Sequence, residues 1–378
     1  MNHPATDCIL VINTGSSSIK FQIFLQNPEL PCLVKGQVNH LGAGALFVAE
    51  TQTGSRVPDL ERMTLAADCN QNDAIRFILE WVAAYQPHWH INVVAHRVVH
   101  GGLKFTRSIK ITADVYAYLQ TLNPLAPLHQ PHNLAAIEII SALMPDVTQI
   151  ACFDTAFHAT HQPLFTDYAL PATIRDQGIR RYGFHGLSYE WIVHSLQQDE
   201  PELAQGRIIA AHLGNGASLC AIAKGVSIDT TMGMTALDGL PMGTRCGNLD
   251  PGAVIYMIRE LGLSPAEAES ILYNESGLLG LSEWTNDVSL LQDSDQPKAQ
   301  FALDYFCLRA AQLMGMMAVA LGGVDGLVFS GGIGENSAFV RNKIVDHLAL
   351  LGSFATHIIP TNEERMMAMH ALSLLEKI

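Results

Sequence analysis

Basic residues are scarce in this sequence. Lys and Arg number 22 against 36 Asp and Glu in 378 residues, which gives a formal net charge of −14. Nonspecific binding to nucleic acid or to an acidic membrane requires a basic surface that faces phosphate groups. The charge balance therefore argues against both partners, although a small anionic ligand needs only a few local positive groups.

The sequence also lacks cysteine motifs and apolar runs of membrane length. The seven cysteines are scattered, without CxxC spacing: Cys8, Cys32, Cys69, Cys152, Cys220, Cys246 and Cys307. This pattern predicts neither a zinc site nor a disulfide framework. The start, MNHPATDCIL, has no basic n-region, and no apolar run approaches the length of a membrane span. We therefore expect a cytoplasmic protein.

Two common phosphate-binding motifs are missing as well. The sequence contains no GxxxxGK[ST], and HLGNGASL has Leu219 where the third Gly of GxGxxG would stand. A P-loop and a dinucleotide-binding fingerprint are both excluded.

What the sequence does contain is ample material for hydrophobic cores. Hydrophobic residues make up 48% of the chain, and the mean hydropathy is +0.18. Because a chain of this length exceeds one ordinary core, we expect two domains.

The stretch VINTGSSSIKF predicts a β-hairpin with polar groups collected at its bend. Cys8–Ile12 is apolar, and Ile19–Ile23 alternates apolar and polar residues at a period of two. In the second half of the chain, Arg207–Ala211 and Leu219–Ala223 flank HLGNGAS in the same way. On these residues alone, the match between the two hairpins is as well explained by chance as by a duplication of the fold. In a duplicated architecture, the two halves would clamp a ligand between them.

The remaining segments alternate between strand and helix patterns, which predicts α/β domains. The predicted strands are Val93–Val99, Gln149–Phe153 and Leu327–Phe329. The predicted helices are His132–Met144, Ala310–Gly323, which we expect to be buried, and a helix that begins after Asn336 as its N-cap.

Three turns rich in Gly, Ser and Asn directly follow strand-like runs. They are Gly15–Ser18, Gly214–Ser218 and Gly331–Asn336. Small residues let backbone N–H groups approach an anion closely. Together these turns indicate a nucleotide that is held by backbone amides and hydroxyls.

An ordered set of motifs, from residue 11 to about residue 365, resembles the acetate kinase family, which includes propionate kinases. The motifs are VINTGSSSIKF, HRVVHGG, PLAPLHQPHN, FDTAFH, RRYGFHG, HLGNGAS, DTTMGMTALDGLPMGTR, FSGGIGEN and PTNEE. The resemblance implies a two-domain, actin-like ATPase (ribonuclease H-like) α/β fold with duplicated topology and an interdomain nucleotide cleft. It also implies reversible, ATP-dependent phosphorylation of a short-chain carboxylate to the acyl phosphate, with Mg²⁺ as cofactor.

By this resemblance, five residues carry the chemistry. Arg97 would bind the substrate carboxylate and Arg245 would stabilise the phosphoryl transition state, since a guanidinium stays protonated and its fork pairs with carboxylate or phosphoryl oxygens. Asp154 would position the arginines or the substrate and help to organise magnesium. His185 and His129 match histidines beside the transferred phosphoryl group. His185 would donate a hydrogen bond there, whereas His129 could equally cap the following helix.

The resemblance also implies an acyl pocket and a metal site. The apolar pocket residues, which accompany Arg97, are Val99, Leu128, Phe184 and Ala236. Asn13 and Glu363 would lie at the magnesium ion, whose usual ligands are oxygens. Glu363 has an alternative role as a residue of a helix start, because Asn-Glu-Glu is common there.

The implied ATP-binding residues lie in the three turns and in one further segment. They are Ser16, Ser18, Lys20, His212, Leu213, Gly214, Asn215, Gly216, Asp287, Gly332, Ile333, Gly334, Glu335 and Asn336. Lys20 would supply positive charge close to the transferred group.

Several positions depart from the family pattern. Cys246 and Asn248 replace the Ser and Asp of GTRSGD, and Leu187 and Tyr189 replace the Thr and His of FHGTSH. Ser289 stands where the family has the Arg of Asp-x-Arg, near the adenosine. The missing Arg puts the preference for ATP in question.

One further departure bears on the acyl group. Ala236 replaces a Pro, which leaves space where the proline ring would lie. A pocket discriminates between acyl groups that differ by one methylene by only ~1–3 kcal/mol. We therefore expect propionate to be accepted alongside acetate. Two alternatives stay open: a butyrate or branched-chain fatty acid kinase, suggested by Ala236, and a nucleotide-binding protein with impaired catalysis, suggested by Asn248 and Ser289.

The expected N-terminal domain spans residues 1–154 and about 361–378, and the C-terminal nucleotide-binding domain spans residues 155–360. The partners that we expect are small molecules: ATP or ADP, acetate or propionate, and the acyl phosphate. A homodimer is implied by the resemblance.

Overall fold

The computed structural model describes residues 6–15, 17–51 and 59–376. The chain divides into two compact units, Met1–Ala156 with Asn362–Ile378 and Phe157–Thr361. Each unit is built on one β-sheet with helices packed against it.

The first unit contains an eight-stranded sheet in the order β5-β4-β3-β2-β1-β6-β8-β7. Its strands are β1 (Thr6–Thr14), β2 (Ser18–Leu25), β3 (Cys32–Asn39), β4 (Leu46–Thr51), β5 (Asp59–Thr64), β6 (Trp89–Val98), β7 (Ile109–Lys110) and β8 (Thr148–Phe153). Strands β1 to β5 pair antiparallel, whereas β1, β6 and β8 run parallel. The central position of β1 explains its continuous apolar run, because both of its faces are covered.

In the described residues of this unit there are four α-helices, numbered along the chain. They are α1 (Gln71–Tyr85), α2 (Ala113–Gln120), α3 (Gln130–Leu143) and α15 (Glu363–Leu375). A capping box formed by Asn70 and Asp73 starts α1. Helices α1 and α3 bury apolar residues in one core with the strands, and α15 contacts β1 and β6.

The second unit contains a five-stranded sheet in the order β11-β10-β9-β12-β13. Its strands are β9 (Arg207–Leu213), β10 (Ala217–Ala223), β11 (Val226–Thr230), β12 (Gly326–Ser330) and β13 (Ala355–Ile358). Its helices are α4 (Pro163–Thr166), α5 (Ala172–Arg175), α6 (Gly186–Asp199), α7 (Pro201–Ala204), α8 (Pro251–Arg259), α9 (Pro265–Asn274), α10 (Gly277–Ser282), α11 (Val288–Gln292), α12 (Pro297–Leu321), α13 (Gly331–Asn336) and α14 (Ala338–His347).

The two sheets share one topology, which confirms the duplicated architecture. In each sheet three consecutive antiparallel strands are followed by two strands parallel to the first, β3-β2-β1-β6-β8 in one and β11-β10-β9-β12-β13 in the other. The predicted hairpins are β1–β2 and β9–β10. In the shared topology His212 of β9 corresponds to Asn13 of β1, and each lies one residue before the end of its strand.

Two local predictions were wrong. Gly331–Asn336 is a short helix rather than a turn, and Asn336 is its last residue, with Nδ2 donating to the Gly332 carbonyl. Ser337 caps α14 instead, because its side chain accepts from the Val340 N–H. Helix α12 ends at Leu321, two residues before the end of the predicted segment Ala310–Gly323, and it is not buried all round, since Met316 is 54% exposed and Val319 is 83% exposed.

Of the helices in the described ranges, none is long and apolar enough to cross a membrane.

Candidate functional site

Two neighbouring strands of the first unit bring an arginine and an aspartate together. Strands β6 and β8 are parallel, with Arg97 opposite Cys152 in register, and Asp154 directly follows β8. The Asp154 N–H donates to the Val98 carbonyl at 3.3 Å, which continues the ladder by one residue. Because the carboxyl ends of parallel strands share one edge, the two side chains meet there.

The Arg97 guanidinium binds two carboxylates. Nε donates to both Asp154 oxygens at 3.0 and 3.2 Å, and Nη2 donates to Asp154 Oδ2 at 2.7 Å. Nη1 donates to Glu363 Oε2 at 3.0 Å, from a helix start 266 residues away in sequence. These contacts use three of the five guanidinium N–H groups. Among the described residues the other two N–H groups have no hydrogen-bond partner, so they are available to an anion.

This charged cluster is largely buried. The side chains of Arg97, Asp154 and Glu363 are 18%, 3% and 10% exposed. Burial lowers the pKa of Arg97, but Asp154 and Glu363 outweigh that effect and raise it above its ordinary value. Burial raises the pKa of Glu363, while Arg97 acts in the opposite direction and Glu364 reinforces the increase. The guanidinium is thus held charged, as an anion-binding group requires.

Asn13, predicted beside the metal, lies near Glu364. Its Nδ2 donates to Glu364 Oε1 at 3.4 Å, and Gln22 Nε2 donates to Glu364 Oε2 at 3.5 Å. Sequence reasoning missed Glu364; the second acidic residue of PTNEE was its only signal. Glu363 is the first residue of α15, as its helix-start alternative predicted, and it also pairs with Arg97.

The described parts of the chain contain no group of three or more His, Cys, Asp or Glu side chains that could hold a metal ion. The oxygen donors around Arg97 and Asn13 are the Asn13 amide and the carboxylates of Asp154, Glu363 and Glu364. Magnesium favours few protein oxygens together with substrate phosphates. The donor set therefore fits magnesium in its chemistry.

The hairpin bend next to Asn13 is tight. The Gly15 N–H donates to the Ser18 carbonyl at 2.8 Å. Ser18 is half-buried and Lys20, paired with Asn13 across the hairpin, is exposed. Strand β2 is not an edge strand, so Lys20 does not protect a sheet edge. Ser16 lies outside the described residues.

Two amides of α3 fix the neighbouring loops, and sequence reasoning missed both. Asn133 accepts from the Val99 N–H at 3.0 Å and donates to the Thr14 carbonyl at 2.8 Å. Gln130 accepts from the His100 N–H at 3.0 Å and donates to the His100 carbonyl at 3.1 Å. Asn133 therefore links the hairpin bend to the strand end that carries Arg97.

His129 precedes α3 at the N-cap position, without a side-chain capping hydrogen bond. The alternative in which its imidazole caps the helix is therefore not supported.

In the second unit, His185 and His212 stack on each other. Their ring centroids are 4.3 Å apart with an interplanar angle of 27°. His185 lies at the start of α6 with a left-handed backbone, φ 57° and ψ 23°. A left-handed non-glycine residue costs of order 1–3 kcal/mol, and such strained residues cluster at active sites.

Hydroxyl groups orient both imidazoles, and these groups too were missed. Ser218 Oγ lies 2.8 Å from His185 Nδ1 and 2.5 Å from the Tyr189 hydroxyl. Ser188 Oγ lies 2.9 Å from His212 Nδ1. In the sequence, only the position of Ser218 could have indicated this role, because Ser218 pairs with His212 across the β9–β10 hairpin. Both Nδ1 atoms are engaged, so each ring is fixed in orientation.

The predicted phosphate turn after β9 packs against the same groups. A Cβ on Gly216 would lie 3.4 Å from His185 Nε2 and 3.7 Å from Arg245 Nη1. Nη1 of Arg245 donates to the Ala236 carbonyl at 3.0 Å, and burial lowers the pKa of this arginine, with Tyr273 acting in the opposite direction. Asn215 Oδ1 accepts from Asn286 Nδ2 at 2.9 Å.

The third predicted segment, α13, is held by its own side chains. Glu335 Oε1 accepts from the N–H groups of Gly331 and Thr361 at 3.0 and 2.9 Å. Gly332 has open space around its Cβ position, and a Cβ on Gly214 would lie 3.9 Å from the Gly332 N. The two glycine segments, 214–216 and 331–334, are therefore neighbours.

The departures from the family pattern have local structural roles. Asn248 Oδ1 accepts from the Gly239 N–H at 2.8 Å. Ser289 lies in the first turn of α11, and its backbone N–H, like that of Leu290, donates to the side chain of Asp287, which caps this helix. Tyr189 is fully buried.

The predicted acyl-pocket residues are divided between the units. Val99 and Leu128 belong to the first, where Val99 is 8% and Leu128 40% exposed. Phe184 and Ala236 belong to the second, where Phe184 is 2% exposed and Ala236 half-buried.

Comparison with known proteins identifies the family. The profile of the Acetokinase family matches residues 8–367. The acetate kinases of Methylocella silvestris and Nitrobacter hamburgensis are 42% and 44% identical to this chain, over 98% of it and over 98% and 96% of their own lengths. The crystal structure of Porphyromonas gingivalis acetate kinase is 33% identical with a TM-score of 0.86, over 98% of this chain and 100% of its own. That of a propionate kinase from Francisella tularensis is 32% identical with a TM-score of 0.89, over 97% and 99%. The chain belongs to the acetokinase family and has its two-unit, actin-like ATPase fold.

Proposed function

We propose that this protein transfers the terminal phosphoryl group of ATP to acetate, reversibly, and forms acetyl phosphate and ADP. The observation that carries the proposal is the family match over residues 8–367, with acetate kinases at 42% and 44% identity. The buried Arg97–Asp154–Glu363 cluster supports it, because it keeps a guanidinium charged where an anionic acceptor can bind.

The first chemical requirement is to bind a carboxylate that must approach an anionic donor. We propose that Arg97 binds the acetate carboxylate through its two remaining N–H groups. Asp154 fixes the plane of the guanidinium by its paired hydrogen bonds, and Glu363 fixes the opposite edge. An oriented carboxylate can then attack the terminal phosphorus in line with the leaving oxygen.

The second requirement is to stabilise charge on the transferred group. We propose that Arg245 and His185 donate to the phosphoryl oxygens as charge develops, with Gly214, Asn215 and Gly216 on the nucleotide phosphates. No proton abstraction is needed, because acetate is already ionised at neutral pH.

Magnesium belongs to this proposal as cofactor, and Asn13 and Glu363 would hold it, with Glu364 beside Asn13. When bound, the ion would neutralise phosphate charge. Lys20 contributes positive charge in the same unit, as its effect on the pKa of Glu363 indicates.

Propionate is the second acceptor that we propose. Ala236 lacks the ring that the family pattern has at this position, and its carbonyl accepts from Arg245 Nη1. Space gained here is worth only ~1–3 kcal/mol per methylene, so acetate and propionate should differ modestly in kcat/KM.

We also propose a cytoplasmic homodimer. In the described parts of the chain none of the seven cysteines forms a disulfide, as is usual in a reducing compartment. Helix α12 carries an exposed apolar face, with Phe301, Leu308, Met316 and Val319 at 56%, 42%, 54% and 83%, which a partner could cover. Light scattering with Leu308→Asp would test the dimer.

The test of function is an acyl-hydroxamate assay with ATP, Mg²⁺ and a series of short fatty acids. We expect turnover with acetate and propionate, within about two orders of magnitude of each other in kcat/KM. Butyrate as the best substrate would contradict the proposal. ATP binding without turnover on any acid would contradict it as well.

A further inference from the structure

Next to the left-handed turn at His185, a buried cluster in the second unit contains two histidines on either side of one serine. His158 Nδ1 lies 2.9 Å and His161 Nε2 lies 2.7 Å from Ser227 Oγ, and Cys220 Sγ lies 3.2 Å from the same oxygen. His158 Nε2 lies 2.9 Å from the Phe184 carbonyl oxygen. His158 is 3% exposed and Ser227 1% exposed, so the cluster is not a binding surface.

The protons of this cluster have one consistent arrangement. A carbonyl can only accept, so His158 Nε2 carries a hydrogen and donates to Phe184. Burial lowers the pKa of His158 to about 4, so the ring is neutral at pH 7 and its Nδ1 accepts. The single Ser227 hydrogen is therefore donated to His158 Nδ1.

The lone pairs of Ser227 Oγ are then filled from the other side. His161 Nε2 donates to one and the Cys220 thiol to the other. Burial, with His158 as the next cause, lowers the pKa of His161 to about 3, so this ring is neutral too. The Phe184 carbonyl accepts from Nε2–H and the Ser227 hydroxyl donates to Nδ1, so both ring nitrogens of His158 have the partners that the Nε2–H tautomer requires.

The His158 ring supports the backbone that precedes His185. Gly183 has φ 81°, and a Cβ there would lie 2.6 Å from His158 Cδ2, so the imidazole packs directly on the turn. The next residue, Phe184, accepts the His158 hydrogen bond, and His185 then takes its left-handed conformation. The packing of the His158 ring on Gly183 and its hydrogen bond to Phe184 together restrict the backbone of these two residues, which determines where the His185 ring lies.

We propose that His158 is a positioning residue for phosphoryl transfer, which holds the left-handed turn at His185 by donating Nε2–H to the Phe184 carbonyl. This inference rests on the proposed function of His185. His158 touches no substrate. Its effect is to keep the His185 imidazole at Ser218 and stacked on His212.

The experiment compares His158→Leu with His158→Gln in the full-length protein. Leu removes the donor, whereas the Gln amide supplies an N–H toward Phe184 and an oxygen toward Ser227. We expect His158→Leu to lower kcat by about 10–100-fold, with KM for ATP and acetate within about twofold of wild type. His158→Gln should recover most of the lost kcat.

A second measurement keeps the inference testable where His158→Leu does not fold. Long-range ¹H–¹⁵N correlation spectra of ¹⁵N-histidine-labelled wild type should assign His158 to the Nε2–H tautomer. Ser227→Ala leaves the Phe184 carbonyl in place, so it should keep the Nε2–H tautomer and lower kcat less than His158→Leu does.

Wild-type kcat in His158→Leu, an Nδ1–H tautomer in the wild type, or a change in KM alone would overturn the inference. His185→Gln serves as the reference variant. If His185→Gln is impaired while His158→Leu is not, only the positioning inference fails. If His185→Gln retains wild-type kcat, the role proposed for His185 fails and this inference fails with it.

Discussion

Replacing Arg97 by Met tests two proposed roles of its buried guanidinium, which are to stabilise the folded protein and to bind the acceptor carboxylate. The substitution keeps most of the side-chain volume but leaves Asp154 and Glu363, whose side chains are 3% and 10% exposed, without their guanidinium partner. Removing one partner of a buried ion pair costs about 3–5 kcal/mol. We expect a loss of that size in the free energy of unfolding at pH 8, together with a fall in kcat/KM of about 10²–10³, if roughly 3–4 kcal/mol of transition-state stabilisation is lost.

The stability defect should depend on pH in a defined direction. Burial already raises the pKa of Glu363 in the wild type, and removal of Arg97 raises it further. Since the folded variant then binds a proton more readily than the unfolded chain, its stability should rise as pH falls from 8 toward 5. Urea unfolding followed by circular dichroism at several pH values measures this change.

Two further variants complete the experiment. Arg97→Met with Glu363→Gln removes one buried charge, so it should recover part of the stability at pH 8 and none of the activity. Arg207→Met is the matched control, because Arg207 makes the same paired contacts with Asp325, at 3.0 and 2.6 Å, while both side chains are about 40% exposed. It should leave the urea midpoint and kcat/KM nearly unchanged.

A wild-type urea midpoint for Arg97→Met at pH 8 would refute the argument that buried carboxylates depend on this arginine. Recovery of activity in the double variant would refute the role of the guanidinium in binding the acceptor.

Three further predictions concern the nucleotide site and the buried histidines. Gly216→Ala should fold normally, because its Cβ meets neighbours no closer than 3.4 Å, and it should raise KM for ATP. Gly243→Ala should lose about 1–3 kcal/mol of stability, because its Cβ would collide with the side-chain oxygen of Asn215. Equal thermal shifts for the two would contradict this. Ser289→Arg, which restores the family's Asp-x-Arg, should lower KM for ATP several-fold in steady-state kinetics, and an unchanged KM would show that this position does not contact nucleotide. Burial lowers the pKa of His96 to about 4 from its ordinary 6.5, so its stabilising contribution is complete above pH 6.5 and declines as pH falls toward 4. The difference in unfolding free energy between wild type and His96→Leu should therefore shrink by about 2 kcal/mol between pH 6.5 and 5. A difference that stays constant with pH would contradict the lowered pKa.

Local patterns predicted much of the fold. The hairpins β1–β2 and β9–β10, strands β6 and β8 and helix α3 follow from periodicity and turn residues, and the structure confirms them with ends shifted by a few residues. The expectation for Asn336 failed because six residues of FSGGIGEN form a helix of their own, which moves the cap to Ser337. Helix α12 was only partly predicted, since composition does not tell which face a neighbour covers.

The sequence alone determined the chemistry that is available: two arginines beside glycine turns, an aspartate at the end of an apolar strand, and an Asn-Glu-Glu helix start. These are local properties of backbone preference and side-chain type. Tertiary structure decided which of these groups meet, because pairing depends on strand register and on contacts between distant segments. Glu363 reaches Arg97 across 266 residues, and Ser218 reaches His185 only through the register of β9 and β10. No periodicity along the chain encodes such distances, which is why Glu364, Ser218, Asn133 and the His158 cluster became visible only in the folded protein.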